Sequence, residues 1–186
     1  MNYRLFSFLM FILISNLFCI KYSLSGSLPA HIKTISIPLI NNETAEYGVS
    51  EKLTNIIINR FNEEGILNVR SNDKVDSKLI GLIKNISESP YTYSKNESVS
   101  EYRYKIDMSL EWYDNINNIS LIKGVYSGWG AYGISGDIST DGIDNDRDGL
   151  IDADDDNEIG DAREFASNVA MEKIAEDIIN EIMTTW

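Results

Sequence analysis

The chain has one cysteine, one histidine and three prolines in 186 residues. A lone Cys19 rules out an intrachain disulfide, so the fold has to rest on a hydrophobic core. Its length suits a single domain. The lone histidine, His31, lies just before the first predicted strand and reads as a surface or strand-edge residue, not as half of a catalytic pair. There is no P-loop of the GxxxxGK[ST] form. Lys and Arg are nowhere clustered, so a nucleic-acid footprint is missing and nucleic acid is not an expected partner. These absences point away from an enzyme.

Acidity is present but local. Net charge is −13, yet residues 137–158 alone hold ten acidic side chains and one Arg, leaving −4 for everything else. The domain outside that stretch is therefore close to balanced.

The N-terminus reads as a signal peptide over residues 1–18. Arg4 supplies a positive start and "LFSFLMFILISNLF" an apolar run of suitable length. That run is shorter than the about 20 apolar residues of a spanning helix. Cys19 follows at once, in the position of a lipoprotein cleavage site that acylates the cysteine. Phe18 stands where such sites have a small residue, so an uncleaved N-terminal anchor and a secreted protein remain open.

Beyond residue 30 the periodicity is informative. "HIKTISIPLI" predicts a strand with Ile35, Ile37 and Leu39 on one face. Val49, Leu53, Ile56, Ile57 and Phe61 recur at helical spacing, with Ser50 as the expected N-cap and Gly65 as the C-terminal stop. "ILNVR" and "SKLIGLIKNI" predict two further strands, and residues 87–100 a hairpin tip or loop opened by Pro90. In "EYRYKIDMSLEWYD" the alternation is strict. Tyr102, Tyr104, Ile106, Met108, Leu110 and Trp112 fall on one face and Glu101, Arg103, Lys105, Asp107, Ser109 and Glu111 on the other. One face of that strand is in the core and the other is wet. "ISLIKGVYSGWGAYGI" returns as its partner, with Gly128 and Gly130 expected at a bulge or frayed end. The final segment is a long helix. Asp161 and Glu164 form a capping-box pattern, and Ala170, Met171, Ile174, Ala175, Ile178, Ile179, Ile182, Met183 and Trp186 form its apolar stripe. The order β-α-β-β-β-β-α predicts an α+β two-layer sandwich. Two helices pack on one face of a mostly antiparallel, mixed sheet of four to five strands.

The acidic stretch, an insertion at about 135–160, has the spacing of a calcium loop. Asp144, Asp146, Asp148, Gly149, Asp152 and Asp155 occupy positions 1, 3, 5, 6, 9 and 12. Alternate residues of a tightly curved loop converge on one hard cation, the glycine permits the turn, and the Leu150 carbonyl at position 7 adds an oxygen. Asp137, Ser139 and Asp141 begin an overlapping copy of the kind seen in thrombospondin type 3 repeats. Calcium is thus a candidate structural cofactor, and a solvated acidic loop is the alternative.

The ordered set of segments resembles one family. It runs from the apolar leader ending in Cys19, through "YSLSG", "IKTISIPLINNET" and "EKLTNIIINRFNEEGILNVRSNDKVDSKLIGLI", to "EYRYKIDMSLEW" and "EKIAEDIINEI". This is similar to the lipopolysaccharide-assembly outer-membrane lipoproteins, the LptE family. The likeness spans about residues 19–134 and 161–186. It departs from the family pattern at Phe18 and in the acidic insertion. It implies a domain over residues 19–186, anchored through a lipid on Cys19 at the periplasmic side of the outer membrane. That domain would plug the LptD β-barrel, support its assembly and help deliver lipopolysaccharide to the outer leaflet. The family's basic lipopolysaccharide contacts map nearest to Lys95, Arg103 and Lys105. Residues 32–79 also resemble envelope lipoproteins of the CsgG and LpoB type. A secreted calcium-binding scaffold or adhesion protein is the third reading.

Overall fold

In a computed structural model, the described residues are 28–72, 74–133 and 161–185. They form strands β1 (Thr34–Ser36) and β2 (Asn41–Asn42), helix α1 (Val49–Glu64) and strand β3 (Asn68–Val69). The long strands β4 (Ser77–Tyr93), β5 (Val99–Asp114) and β6 (Ile119–Gly133) follow, and then helix α2 (Ala162–Thr184). The sheet order is β3-β1-β4-β5-β6, with β2 paired to β4 beside that path. The β1–β3, β1–β4 and β2–β4 pairs are parallel, whereas β4, β5 and β6 form an antiparallel meander. Both helices lie against the sheet, so the architecture is the expected α+β sandwich with a mixed sheet.

The core follows the sequence pattern. Tyr104, Ile106, Met108, Leu110 and Trp112 of β5 are buried, as are Leu53, Ile57 and Phe61 of α1 and Met171, Ile174, Ile178 and Ile182 of α2. α1 and α2 are also tied directly, through Arg60 to Glu172 at 3.0 Å and through Lys52 to Glu164. Asp161 caps α2 by accepting the Glu164 backbone N–H at 3.0 Å. The Glu164 carboxylate turns to Lys52. The capping box is therefore half formed.

Several expectations are corrected. The N-cap of α1 is Gly48, at φ 79°, and not Ser50. Ser50 lies inside the helix, where its carbonyl accepts the Thr54 hydroxyl at 2.6 Å. That hydroxyl in turn accepts the Ile40 N–H at 3.1 Å, seating α1 on the chain leaving β1. Leu39 does not share the core face of Ile35 and Ile37; it is exposed, and Ile40 is buried instead. Residues 87–93 are strand, not loop. β4 runs on through Pro90, with register shifts between Ile83 and Asn85, between Pro90 and Thr92 and between Thr92 and Tyr93. The turn is confined to residues 94–98, where Glu97 takes φ 61°.

Gly128 and Gly130 mark neither a bulge nor a frayed end. Both pair regularly with β5, opposite Ile106 and Tyr104. A Cβ on Gly128 would stand 1.9 Å from the Ala170 carbonyl oxygen, and one on Gly130 would stand 2.3 Å from that of Ala166. The glycines let the α2 backbone rest directly on β6, against its own small residues Ala166 and Ala170. The irregularity in β6 lies instead next to Ile122, where the register against β5 shifts between Trp112 and Tyr113.

Candidate functional site

With the helices on one side, the other face of β4, β5 and β6 has no layer over it among the described residues. Strand pleating fixes what it presents. From β5 come Glu101, Arg103, Lys105, Asp107, Ser109 and Glu111, the set expected from the alternation. From β6 come Lys123, Val125, Ser127, Trp129 and Ala131, which pair with them in register.

Arg103 is the centre of the distal half of this face. Its guanidinium carbon lies 4.4 Å from the Tyr91 ring centroid and 4.6 Å from that of Trp129. The two rings are 5.4 Å apart and tilted by 54°. Its Nε is buried with no hydrogen-bond partner, and no carboxylate pairs with it among the described residues. A cation clamped by two aromatic rings is held in place without being neutralised. Lys105, two residues on, is paired to Asp107 at 2.8 Å, and Asp107 also accepts from the Ser127 hydroxyl. Burial alone would raise the Asp107 carboxyl; the Lys105 and Ser127 hydrogen bonds outweigh it and hold the group below its ordinary value. Lys105 is therefore partly neutralised where Arg103 is not.

Lys95 lies in the exposed β4–β5 turn, and no contact among the described residues joins it to the other two. The structure thus brings Arg103 and Lys105 together and leaves Lys95 apart. Tyr91 and Trp129, which complete the Arg103 clamp, were not among the expected site residues. Trp129 could be found from the parity of β6. Tyr91 could not, because the register shifts in β4 hide its facing.

A second polar knot sits on the helix side. Arg163 bonds Glu46 at 2.8 Å and Glu88 at 2.7 Å, and its guanidinium lies 5.0 Å from the Tyr104 ring. Tyr132 donates to the same Glu88. The Tyr132 phenol is pushed up to about 12 by burial and by that carboxylate. Glu88 reaches this side because the register shift at Lys84 reverses the facing of β4. The knot is a structural tie between α2, β4, β6 and the loop before α1.

Gly128-Trp129-Gly130-Ala131-Tyr132-Gly133 has the GxGxxG spacing of a dinucleotide loop, but it lies within an antiparallel strand and opens no helix. No group of three or more His, Cys, Asp or Glu side chains placed to hold a metal occurs among the described residues. Cys19 and the calcium-loop residues Asp137, Ser139, Asp141, Asp144, Asp146, Asp148, Leu150, Asp152 and Asp155 lie outside the described residues. No helix among the described residues is long and apolar enough to cross a membrane.

The fold and this face define a small two-layer α+β domain whose sheet has one charge-patterned side with no layer over it among the described residues. The chain belongs to the lipopolysaccharide-assembly family, LptE, whose model matches residues 32–185. Among solved structures it is similar to the rare lipoprotein B from Shewanella oneidensis, at 14% identity and TM-score 0.48, over 82% of this chain and 96% of that one. It is similar also to a minor lipoprotein from Acinetobacter baumannii, at 10% identity and TM-score 0.46, over 82% and 94%. A PelC dodecamer from Paraburkholderia phytofirmans is similar at 12% identity and TM-score 0.46, over 86% and 94%. No curated protein matches the chain.

Proposed function

We propose that this protein is the lipoprotein partner of an LptD-type outer-membrane β-barrel. In this reading it is held at the periplasmic side by a lipid on Cys19, occupies the barrel lumen, supports barrel assembly and helps pass lipopolysaccharide to the outer leaflet. It carries out no catalysis. The observation that carries the reading is the family match over residues 32–185. The open sheet face agrees with it. Alternating charges and hydroxyls suit a wet barrel interior better than a dry interface. Arg103, clamped but unpaired, is the group best placed to meet a phosphate of lipopolysaccharide, with Lys105 beside it and Lys95 at the turn.

The acidic insertion is peripheral in this reading. It falls between β6 and α2, binds calcium through the Asp144-to-Asp155 loop, and leaves the core unchanged.

The deciding experiment is recovery of the tagged protein from solubilised outer membranes. An LptD-type barrel is expected to come with it. Recovery of a peptidoglycan synthase instead, or of no barrel, would exclude the proposal in favour of another envelope role. Replacing Cys19 by Ala is expected to abolish fatty-acid labelling and membrane retention. Unchanged labelling would remove the lipid anchor from the proposal.

A further inference from the structure

The proximal half of the uncovered face breaks its own polar pattern. An outward position on a wet sheet face is normally polar. Ile80 and Leu82 of β4 and Val125 of β6 are not, and Ile80 is 41% and Val125 74% exposed. The register groups them around β5. Leu82, Ser109 and Val125 form one row across the three strands, and Ile80, Glu111 and Lys123 form the next. Ser109 is short where its neighbours on both sides are tall, so a trough runs along β5 between apolar walls. Its volume is about 550 Å³, within the roughly 300–1,000 Å³ of small-molecule sites. The walls stand on strands two spacings apart, roughly 10 Å. Lysines mark its edges. Lys84 has no carboxylate partner among the described residues, and Lys123 is 3.6 Å from Glu111 and largely exposed.

We propose that this trough binds a single-chain anionic lipid, its acyl chain lying over Ser109 between Leu82 and Val125 and its head group on Lys84 or Lys123. The floor is an interior strand whose backbone groups are already paired, so an added peptide strand would find nothing to bond. A purely polar ligand would leave Ile80, Leu82 and Val125 unused. A multi-chain lipid would need a wider apolar surface, and the next row toward Arg103 is Asn85, Asp107 and Ser127. The Arg103 clamp is six residues from Ser109, about 20 Å along the strand, so the trough is separate from it. The inference does not depend on the barrel reading.

The test titrates the purified protein with dansyl-undecanoic acid, an anionic acyl probe that brightens when it leaves water. Saturable binding at one site is expected, with laurate displacing the probe. The probe's methyl ester is expected to bind at least tenfold more weakly, because the lysines no longer meet a charge. Ser109→Trp fills the trough from the outside and is expected to lower affinity at least tenfold, while Lys173→Gln on α2 leaves it unchanged. If Ser109→Trp also lowers the melting temperature, Val125→Asp supplies the same readout from a largely exposed wall. The proposal is overturned by no saturable binding, or by wild-type affinity in both trough variants. It is also overturned if lipopolysaccharide displaces the probe as well as laurate does, since the trough would then belong to a multi-chain cargo.

Discussion

His31 Nε2 stands 2.6 Å from Asp114 Oδ2, joining the chain just before β1 to the last residue of β5 across 83 positions of sequence. Asp114 is fully buried. It also accepts from the backbone N–H groups of Ile116, at 2.8 Å, and Asn117, at 3.1 Å, and from the Asn117 side chain at 2.9 Å. It therefore organises the β5–β6 turn, in which Asn118 takes φ 55°. Burial alone would raise this carboxyl; the donors around it, His31 first, outweigh burial and hold it at about 2. A carboxyl depressed in the folded state adds stability above its unfolded value and loses it as pH falls through the folded one. Stability from Asp114 is thus expected in full above about pH 4 and to fade between there and about pH 2. Asp114→Ala removes the buried, charged acceptor of these hydrogen bonds and is expected to cost on the order of 1–3 kcal/mol. Chemical denaturation of both proteins at pH 7 and pH 2.5 checks this: the gap between them should shrink at the lower pH. An equal gap at both values would show that the carboxylate's charge contributes nothing.

Gly128→Ala tests how α2 is seated. The added methyl would meet the Ala170 carbonyl at 1.9 Å, and that oxygen belongs to helix backbone, which cannot rotate away. The helix has to lift from β6, at an expected cost of about 1–3 kcal/mol or more. Ala131→Ser on the opposite face should stay within about 0.5 kcal/mol. The measurement is the denaturation midpoint of each variant, and a neutral Gly128→Ala would mean that α2 does not rest on β6 this closely.

These two positions mark what periodicity could and could not disclose. Strict alternation from Glu101 to Trp112 gave both faces of β5, and the apolar stripe from Ala170 to Ile182 named the buried side of α2, with Trp186 outside the described residues. Nothing in alternation says that Asp114, next in that series, is buried and charged, because its donors come from His31 and from the turn it organises. Glycine in a strand signals either a bulge or a close approach, and only the partner helix decides which. In β4 the register shifts break the period of two, so residues 87–93 looked irregular and the facing of Glu88 and Tyr91 was hidden. Arg103 was legible as an outward cation. That it stands clamped between Tyr91 and Trp129, while Lys105 is paired to Asp107, depended on the pairing of three strands.

Arg103→Ala is expected to weaken lipopolysaccharide binding about tenfold. Arg103→Lys should recover little of it, because an ammonium lacks the planar faces that stack between two rings. Stability should fall by about 0.5–2 kcal/mol in either variant, the range of cation–π contacts from exposed to desolvated sites. Lys105→Ala should have the smaller effect on binding, since its charge is already shared with Asp107. Binding of purified lipopolysaccharide to each variant at low and moderate salt decides the order. Full affinity in Arg103→Lys would reduce the clamp to a simple point charge.

The acidic insertion is expected to bind calcium. Asp144, Asp146, Asp148, Gly149, Leu150, Asp152 and Asp155 follow the spacing of a calcium loop, and position 12 is Asp where the longer Glu gives bidentate closure. One strong ligand is thereby shortened, so affinity is expected on the order of 10⁻⁴ to 10⁻³ M, the range of extracellular modules. Each bound ion offsets mutual repulsion in a segment carrying −9 over residues 137–158. Calorimetric titration of the purified protein should therefore show calcium-dependent heat. Melting temperature should rise only slightly, because Asp161 already caps α2 and Arg163 already ties its start to the domain without it. Asp146→Asn with Asp148→Asn should abolish the heat and leave the fold unchanged. Deleting residues 137–158 should leave recovery of the barrel intact. No heat at millimolar calcium would leave a solvated acidic loop, and loss of the barrel on deletion would move the insertion from the periphery into the interface.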